Sequence, residues 1–266
     1  MRAKAFIAAV ALVWSSWLAA AAPPAPANPD DARRAVARIA DESWQWVLAT
    51  DNALRDAAGL PFAGVKDIDI ADARKDADFA STHLATLRAI DPKLLDSNDE
   101  ITRQFLLKLH EDVAQGPDNW LFDFAITPYS GVLPLNGLVE FASKRPLATP
   151  AQRADYLRLL AELGDRIDQM HARTVAQREA GIYLPKPAIP SLRATYQALA
   201  AGLDARLVPD AGRLGGLQAD ERAAYAAEVG SMVQVRLATP ITAIATLLGP
   251  DYEAKAPAAI GLSQYP

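Results

Sequence analysis

Between Thr149 and Gly181 the chain carries a pattern that only a long helix satisfies. Tyr156, Leu160, Leu163, Ile167 and Met170 recur at spacings of 4, 3, 4 and 3. A 3.6-residue turn places all five in one stripe. Thr149-Pro150-Ala151-Gln152 reads as a capping box with proline at the first helical position, and Gly181 as a C-terminal stop. The spacing predicts roughly 30 helical residues, about 45 Å of rod. Arg158, Glu162, Asp165 and Arg166 form its opposite, charged face. A rod with one apolar stripe needs partners of the same kind to cover it.

The flanking sequence supplies them. Asn28-Pro29 looks like a cap followed by a first-turn proline. Val36, Ile39, Ala40, Ser43 and Val47 then share a face, with Trp44 and Trp46 beside it, up to about Asn52. After a connector from Gly59 to Asp69, a helix is expected over about 70–90, with Phe79, Leu84 and Leu87 inward. Ser97-Asn98-Asp99-Glu100 reads as a second capping box. The helix it opens would bury Ile101, Phe105, Leu109 and Val113 and stop at Gly116-Pro117. Further helices are expected from Ser191 to Leu203 and from Ala219 onward, separated by the extended Pro185–Pro190 linker and the loop Asp210–Gly216. Tyr225, Val229, Met232 and Arg236 share a face of the last one. Pro240 should kink it without ending it, since Ile241, Ile244, Leu247 and Leu248 continue the pattern. No internal repeat occurs, and no alternating run is long enough for a sheet. The fold class is all-α, a multi-helix array of long packed helices.

Asn119 to Gly137 is different. Trp120, Phe122, Phe124, Tyr129 and two prolines crowd a stretch without clean periodicity. It reads as irregular packing with at most one short strand or turn of helix. Trp120, Tyr129 and Asn136 are its candidates for lining a cleft; burial in the core is the competing reading.

The N-terminus sets compartment and stability. Arg2 and Lys4, the apolar Ala5–Leu18 and the small residues Ala19–Ala22 form a secretory signal pattern over 1–22. That apolar run is shorter than the roughly 20 residues a bilayer span requires, so no membrane span is expected after signal cleavage. An uncleaved anchor is the alternative. Residues 23–29 form a Pro/Ala-rich tether, stiff and extended, and 30–266 a helical domain. The expected location is the periplasm or the exterior. With no cysteine the exported chain cannot use disulfides, thiolate metal sites or a thiol nucleophile; a core drawn from its 51% hydrophobic residues must hold it. Loss of Arg2 and Lys4 takes the net charge from −5 to −7, which argues against nucleic acid as a partner.

Complete chemical motifs are missing. His83, His110 and His171 lie apart, each inside an expected helix. His110-Glu111 opens like a zinc-peptidase motif, but that motif needs a second histidine four residues on, and Ala114 stands there. No Gly-x-Ser-x-Gly elbow occurs. Gly212-Arg213-Leu214-Gly215-Gly216 lacks the Lys-Ser/Thr of a phosphate loop. Asp67-Ile68-Asp69-Ile70-Ala71-Asp72 lacks the central glycine and closing glutamate of a calcium loop. No catalytic or metal residue is assigned.

Several stretches together resemble the bacterial domain-of-unknown-function family 885. They are Ala40-Asp41-Glu42-Ser43-Trp44-Gln45-Trp46; Leu87 to Leu95 followed by Ser97; Leu133-Pro134-Leu135-Asn136-Gly137; Asp155 to Leu160; Ile167 to Met170; Glu179 to Pro187; and the closing Gly261 to Pro266. Their order and spacing cover essentially all of 23–266. Asn136 departs from the pattern, standing where the family often has Gln. The resemblance implies a neurolysin-like helical zinc metallopeptidase whose His-Glu zinc motif lies in the second half of the family's length. This chain is then expected to be the N-terminal half, one wall of a channel for a peptide substrate. Zinc would come only with the missing C-terminal half, and the chain would be inactive alone. The alternative is a non-catalytic helical binding module of the cell envelope.

Overall fold

The computed structural model describes residues 25–261, 264 and 265, and every regular element among them is helical. The signal-type segment 1–22 and the start of the tether lie outside the described residues. No helix of the described residues is long and apolar enough to cross a membrane.

The first unit packs five helices, two of them short. α1 (Pro29–Thr50) starts where Asn28 Oδ1 accepts the Asp31 N–H at 3.0 Å. A short α2 (Asn52–Ala57) follows, then an extended connector. α3 (Ile70–Ala89) is capped by Asp69, and α4 (Ser97–Ala114) runs against it. Ala32, Val36 and Ile39 meet Leu87, Ile90 and Leu106 in a small core. α5 (Gly116–Asn119) closes the unit.

Two expectations for α4 fail together. The cap is Asp96, whose carboxylate accepts the Asn98 and Asp99 N–H groups; Ser97 is already helical. The inward face is also rotated: Ile101 and Phe105 are 66% and 67% exposed, whereas Arg103, Leu106 and His110 are buried. Arg103 accounts for both. Its Nη1 donates to the Leu87 carbonyl at 3.1 Å, one of the C-terminal carbonyls that α3 cannot pair internally. Its Nε and Nη2 hold Glu100 at 2.7 and 2.9 Å, so that carboxylate stabilises a guanidinium rather than the helix start.

The larger core belongs to the second unit. A π-helical turn (Pro128–Val132) feeds α6 (Leu133–Ser143), so Leu133–Gly137 is helical and not part of the irregular segment. α7 (Pro150–Glu179) has its capping box and its full buried stripe as expected. Gly181 follows with φ +76°, the left-handed stop. The Pro185–Pro190 linker is shorter than expected, because α8 (Ile189–Leu207) starts two residues early. α9 (Ala219–Met232) passes through a π-helical turn (Val233–Ala238) into α10 (Thr239–Leu247), and α11 (Pro250–Lys255) ends the array. The helix does continue past Pro240. That proline has no N–H for the Arg236 carbonyl, and Gly164 of α7 lets this carbonyl pack close: a Cβ on Gly164 would sit 2.9 Å from it.

Candidate functional site

An extended connector carries backbone groups that no helix or sheet pairs, and such groups need partners when buried. α7 supplies them for residues 61–69. Glu162 accepts the Val65 N–H at 3.0 Å; Arg166 Nη1 donates to the Lys66 carbonyl at 2.7 Å; Gln169 accepts the Ile68 N–H at 2.8 Å. Arg173 Nη2 donates to the Ile68 carbonyl at 2.5 Å. These four side chains recur at helical spacing. The charged face of α7 is therefore in part a strap anchor and not a solvated surface. Asn52 clamps the strap from the other side, donating to the Gly64 carbonyl at 2.7 Å and accepting the Ala63 N–H at 3.0 Å.

The three cleft candidates occupy three settings. Trp120 joins the strap: its Nε1 donates to the same Ile68 carbonyl at 3.0 Å, and the Arg173 guanidinium lies 4.7 Å over its ring. With Trp46, Asp76 and Asp112 it lines a small cleft of about 250 Å³. Asn136 is part-buried on α6, where its Oδ1 accepts from Arg206 at 2.8 Å. Tyr129 stands 82% exposed on the π-helical turn.

A larger concavity lies at the far end of α7. It is a groove of about 1100 Å³ between the end of α7, the Tyr183 turn, α10 and α11. His171, Arg178 and Lys255 line it with Asp251 and three threonines. The Thr239, Thr242 and Thr246 hydroxyls donate to carbonyls at 2.8–2.9 Å, so they offer the groove acceptor oxygens. Tyr252 forms the buried wall, edge-on to Tyr183 at 4.9 Å between centroids. Its hydroxyl accepts the Leu184 N–H at 3.0 Å, and burial pushes its pKa up to about 12, so it stays neutral. The side chains of Arg178, Lys255 and His171 make no hydrogen bond or ion pair among the described residues. The groove therefore presents cationic donors and hydroxyl acceptors, a surface suited to polar groups of a chain laid along it. Sequence reasoning missed it because its lining is dispersed from His171 to Lys255; the Thr239/Thr242/Thr246 spacing was the available signal.

The model of a family described as "Bacterial protein of unknown function (DUF885)" matches residues 54–265. The chain belongs to the DUF885 family. No curated protein and no solved structure matches it. Among the described residues no three His, Cys, Asp or Glu side chains are grouped to hold a metal ion.

Folding of this DUF885 chain also joins two histidines that the sequence leaves apart. His83 on α3 and His110 on α4 are buried with ring centroids 5.0 Å apart, and the Phe79 ring meets both edge-on. The Ser43 hydroxyl of α1 donates its one proton to the Ile39 carbonyl at 2.6 Å. Its 2.9 Å contact with His110 Nε2 is therefore a bond that the imidazole donates. A serine activated for attack needs the reverse, with the ring accepting the hydroxyl proton. The pair is structural.

The two buried histidines make stability depend on acid. Burial, followed by the charge of His83, lowers the His110 pKa to about 4; burial also lowers His83, against the pull of Glu42 and with the push of Arg38. Unfolded, each ring titrates near the ordinary value of about 6.5. The unfolded chain thus binds more protons below that value, and stability is lost as the pH falls from about 6.5 toward 4. The expected loss between about pH 7 and about pH 4.5 is on the order of 2 kcal/mol, read from urea midpoints. His110→Gln should flatten that part of the profile. A wild-type midpoint unchanged across the window would mean that the rings protonate in place.

Proposed function

We propose that this chain is the N-terminal half of an exported, peptidase-like DUF885 protein and forms one wall of its substrate channel. In this reading the groove at the end of α7 holds an extended peptide. Arg178 and Lys255 donate to its carbonyls or terminal carboxylate, and the α10 threonines accept its N–H groups. Zinc and the general base belong to the second half. Within the groove this chain binds and orients and performs no bond cleavage of its own.

The groove is the observation that carries the reading: the Arg178 and Lys255 side chains have no acceptor among the described residues, and its volume of about 1100 Å³ leaves room for a bound chain. Support also comes from family membership and from Ile101 and Phe105, apolar, exposed and one turn apart on α4, where a covering partner would be expected. The export element rests on the signal pattern of residues 1–22.

The test is the intact mass and zinc content of the native protein purified from its own cells. A mass well above that of residues 23–266, with stoichiometric zinc, is the expected result. A mass equal to 23–266 with cooperative, monomeric unfolding would replace this reading with the non-catalytic binding module. Metal-dependent peptide hydrolysis by a protein of that mass would sink both.

A further inference from the structure

A second cavity, of about 570 Å³, lies where α2, the strap, α6 and α7 meet. Its size is within the range of small-molecule sites. One side is apolar: Phe62 and Phe141 stack with centroids 4.5 Å apart, and Leu138 and Val65 extend that surface. The cations are Lys66 and Arg166. Lys66 is neutralised, with Nζ 2.5 Å from Asp72 and 2.7 Å from Asp76. Arg166 is not. Its side chain makes one hydrogen bond among the described residues, to the Lys66 carbonyl, and no carboxylate pairs with it.

A guanidinium has five N–H donors, so most of this one's capacity is unused. Burial, then the charge of Arg173, lowers its pKa to about 10, with Asp123, Asp67 and Asp72 opposing from a distance. A desolvated cation without a counter-charge is unfavourable unless something completes it. The remaining charged lining residues are Asp51, which accepts the Leu54 N–H at 3.0 Å, and Asp56, exposed on α2. Both belong to the α1–α2 side and repel an anion, which Arg166 on α7 attracts.

We propose that this cavity binds a small carboxylate bearing an aromatic or branched apolar group, its carboxylate forked on Arg166 and its apolar end against Phe62, Phe141 and Leu138. The planar guanidinium matches a carboxylate in two parallel bonds. The site is separate from the groove at the far end of α7 and does not depend on the peptide-channel reading.

Calorimetric titration of the full chain with phenylbutyrate and with its neutral counterpart phenylbutanol tests this. The acid should bind and the alcohol should not. Arg166→Gln should weaken phenylbutyrate by about tenfold or more, the worth of a charge-assisted bond, and Arg166→Lys should restore part of it. Gly137→Leu guards against a folding artefact. Gly137 lines the cavity within α6, and a Cβ there meets nothing within 4 Å. Leucine is also the better helix former, so this variant should fold normally and lose binding by occupying the space. Equal binding of acid and alcohol, no binding of the acid, or binding indifferent to both Arg166→Gln and Gly137→Leu would overturn the proposal.

Discussion

Replacing Gly131 by alanine is expected to cost about 2–6 kcal/mol of stability, visible as a large drop in the urea midpoint. Gly131 is buried in the π-helical turn ahead of α6. An added Cβ would lie 2.5 Å from the Ala125 carbonyl oxygen, 2.5 Å from the Tyr196 hydroxyl and 2.8 Å from Ile126 Cα. Two of those atoms are backbone and cannot swing away. The third belongs to a fully buried tyrosine of α8 whose hydroxyl donates to the Ile126 carbonyl at 3.0 Å. Overpacking of a dense core costs about 1–3 kcal/mol. Displacing Tyr196 would strand a buried donor and acceptor, which adds about 1–3. The glycine is needed here for space, since its φ is not in the left-handed region. Tyr196→Phe removes one of the three clashes, so the double variant should be less destabilised than the sum of the singles. Strict additivity would mean that the turn moves away as a body and that the hydroxyl is not what the methyl meets.

The sequence made the long rods legible where several local signals agreed. α7 has a capping box, a five-residue stripe and a terminal glycine pointing to the same 30 residues; α1 has Asn28 and Pro29. Where a single polar side chain reaches across to another helix, periodicity misleads. Ile101, Phe105, Leu109 and Val113 make a cleaner stripe than the face α4 buries, yet Arg103 and His110 decide the face because their partners, the Leu87 carbonyl and Ser43, lie on other helices. The candidate cleft residues suffered from the same blindness. Trp120 does face a guanidinium, but Arg173 is 53 positions away and nothing local announces it. The groove and the Arg166 cavity are assembled from four or more elements each. Their chemistry lies in which charges remain unpaired after folding, and pairing is a tertiary property.

Arg173 is where that tertiary bonding is most concentrated, and Arg173→Met should cost about 3 kcal/mol or more. Arg173 is 5% exposed. It donates to the Ile68 carbonyl at 2.5 Å and to both the Asp123 carbonyl and carboxylate, at 3.2 and 2.9 Å, while covering the Trp120 ring. The Asp123 side chain is largely solvated and would find water at little cost. The carbonyls are the greater loss: Asp123 keeps a long 3.5 Å contact from Gln177, and Ile68 keeps only the Trp120 donor. Methionine fills most of the volume, so cavity formation contributes little and the change reports polar bonding. Because Arg173 ties the strap between the two cores, the damage should begin locally. Amide exchange at Val65 and Ile68, whose N–H groups rest on Glu162 and Gln169, should accelerate before α7 itself opens. Arg173→Lys keeps the charge but not the fork and should fall between. Uniform acceleration across α7, α8 and the strap would instead mean that the strap and the main core open as one unit, with Arg173 acting through global stability alone.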